Sequence, residues 1–402
     1  MGKADKPIKF VVIKAYLEEK YIFRFNTVSI DLEYKEKGTD GWNVLNPADL
    51  EVELMIEGFT GFDKQLAAYL KSSYVEKYDP IREYFESLPD HVPGTDPIAE
   101  LANYVKTTDQ EFYVKQFRKM LVRMVAQGLN EISFNKHCFT FYSKQNDGKT
   151  YFFENLLQGT ALATYSKKNI DFEGKDSKIS LAGNFMINLD ELAGLSKQDV
   201  NRAKAFFSES QIKLRLPYDK KDSIMSRRAS FVGSTNQREF LIDETGNVRW
   251  IVFEVISINH DSGGPNGYRA VDVNKVWAHA YFLLRNGFPV QLDKDEIAQS
   301  ELNNAKYGRD SVEYQMLLQY FEPCQKGEGM FYQPFRIAEI LTKISGNSFR
   351  ISAESVGKAL TKMKVEKVQE RTNGSKVPLG GYWLRELPII AYNPQSLSDK
   401  PF

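Results

Sequence analysis

Residues 137–150, HCFTFYSKQNDGKT, constrain the fold of this chain more than any other stretch. An apolar run (Cys138, Phe139, Phe141, Tyr142) stops at a polar loop, and the loop ends in Gly148-Lys149-Thr150. Apolar spacing then turns helical, with Phe152, Phe153, Leu156 and Leu157 on one side. Strand, loop and helix in this order make a phosphate-binding loop, because successive backbone N–H groups and the helix N-terminus face the anion. Lys149 would reach the outer phosphates, and Thr150 would place its hydroxyl on Mg²⁺. Asn146, Asp147, Gly148 and Tyr151 are the other expected nucleotide contacts. The pattern G-x-x-x-x-G-K-[ST] is incomplete, since Ser143 stands where the first glycine belongs. A helix start that happens to contain Lys and Thr is the competing reading, and the downstream sequence decides between them.

Downstream, an apolar run from Asn184 to Leu189 ends in Asp190-Glu191. It reads as a buried parallel strand with carboxylates at its C-terminal end, where ligands bind in open α/β sheets. Asp190 would hold the Mg²⁺ shell, and Glu191 would orient or deprotonate the attacking water. A second short strand, Ala229 to Thr235, places Asn236 at its end, suited to hydrogen-bond a γ-phosphate or the lytic water. In Thr245-Gly246-Asn247-Val248-Arg249-Trp250, a turn leads to a cation at the start of another buried strand. Arg249 there suits an arginine finger offered to a neighbouring subunit.

Between these strands, residues 211–228 carry Lys213, Arg215, Lys220, Lys221, Arg227 and Arg228 against Asp219 and Asp222. Ile212, Leu214 and Leu216 alternate like a strand, and residues 217–222 form a turn tip. A basic hairpin of this kind can follow a DNA backbone. Formal net charge is zero over the 402 residues, so any nucleic-acid surface must be local. The two cysteines, Cys138 and Cys324, suggest no disulfide framework and a reduced, cytoplasmic setting. No apolar run approaches membrane-spanning length, the N-terminus has no apolar signal core, and Lys6 departs from the myristoylation pattern. No membrane partner is expected. The four histidines (His91, His137, His260, His279) are scattered and read as structural or exposed, which argues against zinc.

Elsewhere the patterning predicts a helix and short strands over residues 8–35 and helices over 48–57 and 61–74. A short helix follows Tyr78-Asp79-Pro80, and residues 98–127 read as helical in two pieces. Residues 159–178 read as a loop-rich crossover, and 196–208, 272–287 and 294–321 as helical. Near the C-terminus a helix at 335–344, a second after Ser352, and a hairpin over 365–387 follow the order of a winged helix. Residues 336–385 hold ten Lys/Arg against four Glu. DNA contact is therefore expected from Lys358 and Lys362 on the second helix and Arg371 on the wing, with packing or partner binding as the competing use.

Taken in order, SKQNDGKT, FMINLDEL, ASFVGSTNQREFLID and ETGNVRW resemble the virulence-associated protein E family, whose core is similar to superfamily 3 helicases of the AAA+ group. The resemblance runs from about Tyr78 to about Ile258, and the flanks look like those of Bacteroidetes mobile-element members. It implies an α/β fold: a P-loop core with a mainly parallel sheet, a small N-terminal α+β domain, a helical subdomain and a C-terminal winged-helix-like domain. The expected boundaries are 1–76, 77–134, 135–260 for the ATPase core, 261–325 for a helical region, and 326–402. The resemblance further implies ATP and Mg²⁺, a homo-hexamer, and single-stranded or forked DNA moved during replication of a phage or mobile element. A separate primase or replication protein is a further candidate partner; no zinc or acidic primase constellation is present, so primase activity is not carried over. In family terms Lys149 and Thr150 fall on Walker A, Asp190 and Glu191 on Walker B, Asn236 on sensor 1 and Arg249 on the arginine finger. Many relatives have two arginines at the last position, where this chain has Val248-Arg249. Ser143 and Asp147 also depart from the usual loop, which bears on rate more than on binding.

The leading expectation is thus an ATP-dependent DNA helicase or translocase. A non-motor, ATP-dependent DNA-binding or assembly switch with weak ATPase is the alternative. A P-loop kinase explains neither Asn236, nor Arg249, nor the basic C-terminal part.

Overall fold

Asp109 accepts a hydrogen bond from the backbone N–H of Phe112 and so starts helix α1, Gln110–Gly128. Almost every residue of its last three turns is buried, which makes it a central helix of its own unit. The computed structural model describes residues 10–190, 192–194, 197–214, 223–241, 247–260, 267–308, 310–346, 350–371 and 377–388. The chain divides into two compact units, Met1–Gly308 and Arg309–Phe402.

In the first unit, a six-stranded sheet is built from β1 (Val105–Thr107), β2 (Cys138–Tyr142), β3 (Ser166–Lys168), β4 (Met186–Leu189), β5 (Ser230–Thr235) and β6 (Trp250–Ile258). Their order in space is β1-β6-β2-β5-β4-β3. All neighbours run parallel except β1, which pairs antiparallel with β6. Parallel strands buried on both faces need apolar side chains on both, and β2 and β5 are buried along nearly their whole length. One face carries Phe139, Phe141, Val232, Ile251 and Phe253. It packs with Tyr113 and Phe117 of α1, with Phe152 and Phe153 of α2 (Lys149–Asn155), and with Val276 and Trp277 of a helix spanning Val273–Arg285. The other face carries Cys138, Ile187, Phe231, Trp250 and Val252. It packs with Leu181 of a helix spanning Gly174–Gly183 and with Ala203, Phe206 and Phe207 of one spanning Lys197–Phe207. Truncating any one of these buried phenylalanines to alanine would cost about 3–5 kcal/mol.

A separate four-stranded sheet near the N-terminus joins Tyr21–Asn26, Leu32–Glu36, Asn43–Val44 and Glu76–Tyr78. Its helix Pro47–Ile56 starts on Asn46, whose side chain accepts from the Ala48 N–H, with Pro47 at the first helical position. Asp79 and Pro80 open the next helix, Pro80–Ser87, in the same way.

Two segments differ from the sequence reading. The two helical pieces expected over 98–127 are separated by β1, three residues long and too short for a period-two pattern to show. The expected loop at 159–178 contains β3 and the start of the helix at Gly174. Ser166, Lys167 and Lys168 look like loop residues because β3 is an edge strand with exposed positions.

The second unit orders a helix (Val312–Tyr320), short strands at Phe321–Pro323 and Met330–Tyr332, helices Pro334–Ile344 and Ala353–Lys362, and strands Val368–Glu370 and Leu379–Glu386. The last strand pairs antiparallel with the other three. Ile337, Leu341, Val356, Leu360 and Leu384 form its core.

Candidate active site

Because β2, β4 and β5 run parallel, with Thr235 opposite Tyr142 and Gly233 opposite Leu189, their C-terminal ends share one rim. Ser143, Asp190 and Asn236 are the next residues of the three strands. An open cleft of about 210 Å³ sits there, lined by residues 145–151, Asp190 and residues 234–236. Lys149, Thr150, Asp190, Asn236, Asn146, Asp147, Gly148 and Tyr151 are thereby brought together.

The loop from Ser143 to Gly148 turns on two left-handed residues, Asn146 at φ 69° and Gly148 at φ 75°. Asparagine and glycine tolerate this region best. Gly148 is the N-cap of α2 and gives no side-chain cap, so the first amides of the helix face the cleft unclaimed by a capping side chain.

Lys149 is buried, and its Nζ donates to Ser143 Oγ at 2.9 Å, the Ser143 carbonyl at 3.2 Å and the Lys144 carbonyl at 2.8 Å. Burial lowers its pKa, while the charges of Asp147 and Asp190 act in the opposite sense. Thr150 Oγ1 donates to Asp190 Oδ2 at 3.1 Å, and Ser234 Oγ donates to Asp190 Oδ1 at 2.5 Å. The two hydroxyls lie 3.4 Å apart. A carboxylate held at both oxygens between two hydroxyls is a hard-oxygen donor set. It fits Mg²⁺, which takes one or two protein oxygens and completes its shell with phosphate oxygens and water.

Sequence reasoning missed two of these neighbours. Ser234 lies inside an apolar strand, two residues after the buried Val232 and on the same face, so only its position near the strand end could have marked it. His260 follows the end of β6, the strand beside β2. Its Nε2 donates to the Asp147 carbonyl at 3.1 Å, and its ring stands edge-on to Tyr268 with centroids 5.2 Å apart. A Cβ on Gly148 would collide with that ring. His260 is therefore packed onto the back of the loop, a structural position that its sequence neighbours do not tie to the site.

Other expected site residues lie elsewhere. Arg249 ends a turn of 3-10 helix (Asn247–Arg249) at the opposite rim, since Trp250 pairs with Cys138 at the start of β2. The five residues of β2 separate it from the cleft by about 16 Å at ~3.3 Å each. Its guanidinium donates to Ser208 Oγ at 3.3 and 3.4 Å. It cannot serve phosphates bound to its own chain. Glu191, Arg215, Lys220 and Lys221 lie outside the described residues.

Arg227 and Arg228, two of the six basic residues counted in the hairpin reading of 211–228, are not available to DNA. Both are buried. Arg227 donates to the carbonyls of Ala229, Phe207, Glu209 and Asn135 at 2.6–3.3 Å. Arg228 bonds the Gly128 carbonyl at 2.5 Å and Asp79 at 2.7 Å. In the second unit Lys358 pairs with Glu354 at 3.0 Å, Lys362 pairs with Asp310 at 2.6 Å, and Arg371 is exposed.

The family model of the virulence-associated protein E-like domain matches residues 86–309, more than half of the chain. Among solved structures, the apo NrS-1 C-terminal region is similar at TM-score 0.50 and 12% identity, covering 95% of this chain and 100% of that one. Its A form is similar at TM-score 0.49 and 14% identity, over 92% and 98%. An active helicase, SCCmec type IV Cch, reaches TM-score 0.41 at 11% identity, over 91% and 93%. At these identities the first likeness speaks to a shared fold alone. No curated protein sequence matches the chain.

Proposed function

The chain belongs to the virulence-associated protein E-like family, and from that premise we propose that it is an ATP-dependent DNA helicase or translocase of a phage- or mobile-element replication system. The supporting observation is the cleft in which Lys149, Thr150, Asp190, Ser234 and Asn236 meet behind a left-handed Gly148. In this reading Lys149 leaves the Ser143 and Lys144 oxygens and binds the outer phosphates of ATP. Thr150 and Ser234 aim the Asp190 carboxylate at the metal position. The Asn236 amide donates to the γ-phosphate or orients the lytic water, and Glu191 deprotonates that water. Mg²⁺ would neutralise the charge developing on the β- and γ-oxygens.

Arg249 acts on a neighbouring subunit's nucleotide, which makes the working form an oligomer and, by the family resemblance, a hexamer. The distance of Arg249 from its own cleft supports a role in trans. The hairpin carrying Arg215, Lys220 and Lys221 tracks single-stranded DNA, and the second unit serves as a winged helix toward DNA or a replication partner.

The three bonds that hold Lys149 in place favour one second reading, a slow switch that binds DNA or assembles when ATP is bound. Strand displacement on forked DNA separates the two. The motor displaces the strand with ATP, and Lys149→Ala abolishes this; nucleotide-dependent DNA binding without displacement selects the switch. Mixing Lys149→Ala and Arg249→Ala chains tests the trans assignment. Partial recovery of ATPase is expected, and no recovery would reject the trans assignment of Arg249.

A further inference from the structure

We propose that the cavity at the opposite, N-terminal rim of the central sheet binds an oxyanion, a phosphate group with at least two free oxygens. The cavity has a volume of about 370 Å³, and Arg123, Glu131, Ser133, Asn135, Lys136 and His137 are among the residues that line it. Five residues of β2 lie between it and the nucleotide cleft, about 16 Å at ~3.3 Å each, so it is a separate site.

Arg123 projects from α1, five residues before the helix end, and is 2% exposed. Its Nε donates to the Val290 carbonyl at 2.8 Å, and its Nη2 is buried with no partner. Among the described residues it makes no ion pair. A buried, unpaired guanidinium is costly, and structures seldom keep one without a counter-charge. Burial pulls its pKa down to about 10, with only Glu296 acting against that shift.

His137 Nδ1 is a second buried atom without a partner. Burial, then the charges of Arg123, Lys136 and Arg249, push this histidine down to about 2, so it is neutral and can donate one ring N–H. The acid lining the cavity, Glu131, is already paired with Arg285. Water could satisfy both orphaned donors but would leave the positive charge uncompensated. An anion with two acceptor oxygens answers both, one oxygen taking Arg123 Nη2 and another His137 Nδ1, with Lys136 beside them. The group can be free phosphate or a phosphodiester of single-stranded nucleic acid.

The test uses the full chain carrying Lys149→Ala, which weakens phosphate binding at the nucleotide cleft. Inorganic phosphate and a short oligothymidylate are titrated calorimetrically at constant ionic strength, before and after adding Arg123→Gln or Lys136→Ser. Saturable phosphate binding is expected, weakened at least about tenfold by Arg123→Gln and a few-fold by Lys136→Ser. If Arg123→Gln fails to fold by circular dichroism, Lys136→Ser carries the comparison. Oligothymidylate that competes with phosphate and weakens in the same variants identifies a nucleic-acid backbone as the source. Oligothymidylate that is indifferent to them identifies a free anion. No saturable phosphate binding, or binding equal in parent and variants, overturns the proposal and leaves water in the cavity.

Discussion

Lys149 Nζ donates to Ser143 Oγ at 2.9 Å, so the serine that replaces the first glycine of the loop pattern also tethers the loop's lysine. A glycine at 143 would leave two carbonyl acceptors and remove one. Ser143→Gly should therefore release Lys149 more readily to an incoming phosphate. One hydrogen bond to a charged group is worth about 1.5–3 kcal/mol before solvent replaces it, so a tightening of nucleotide binding by a few-fold is expected. A fluorescent nucleotide titration reads it. Affinity unchanged or weakened would mean that Ser143 supports the loop and does not restrain the lysine.

Gly148 has two reasons to be glycine: φ of 75° and the His260 ring behind it. Gly148→Ala meets both and should weaken nucleotide binding at least about tenfold, since left-handed strain alone costs about 1–3 kcal/mol. Adding His260→Ala removes the collision and leaves the strain, so the double variant should recover part of the loss. Recovery to the parent affinity would dismiss the strain; no recovery would dismiss the ring.

The buried Arg227 yields a stability prediction that opposes its appearance in sequence. Arg227→Gln strands carbonyls of Ala229, Phe207, Glu209 and Asn135. At about 1–3 kcal/mol per unsatisfied buried group, the loss should be on the order of 3 kcal/mol or more. Urea denaturation measures it. A variant of normal stability with weakened oligonucleotide binding would return Arg227 to the DNA-contacting role.

Acid should destabilise the first unit through its buried histidines. His279 lies flat against His91 with ring centroids 4.0 Å apart, and faces Asp96 at 3.4 Å and Arg118. Burial first, then His91, lower its pKa from 6.5 to about 4, with Asp96 opposing. Its folded pKa lies below its unfolded one. Between the two values the unfolded chain therefore binds a proton that the folded chain refuses. The stability is complete above about pH 6.5 and is lost as pH falls toward about 4. His137 acts with the same sign, its window reaching about 2. Urea midpoints across this range should fall with pH, and His279→Gln should flatten the slope; an unchanged slope contradicts the assignment.

Much of the core was legible because its signals are local. The strand, loop and helix at 137–155, the caps at Asn46 and Asp79, and the apolar strands ending at Leu189 and Thr235 follow from spacing and turn chemistry alone. Lys149, Asp190 and Asn236 could be placed together because each follows or closes a strand of one parallel sheet. What was illegible depends on the third dimension. β3 is polar because it is an edge, and β1 is too short to carry a period. Arg227 and Arg228 read as surface cations because nothing local reveals that backbone carbonyls surround them. His260 becomes part of the site only because β6 is the neighbour of β2, a pairing between segments more than a hundred residues apart.

ATP hydrolysis by the full chain with Mg²⁺ and single-stranded DNA, compared with Lys149→Ala, tests the central claim most directly. Removing Lys149, the lysine proposed to bind the outer phosphates, should lower the rate by about a hundredfold or more. A Lys149→Ala protein that hydrolyses ATP at the parent rate would contradict the assignment of this cleft.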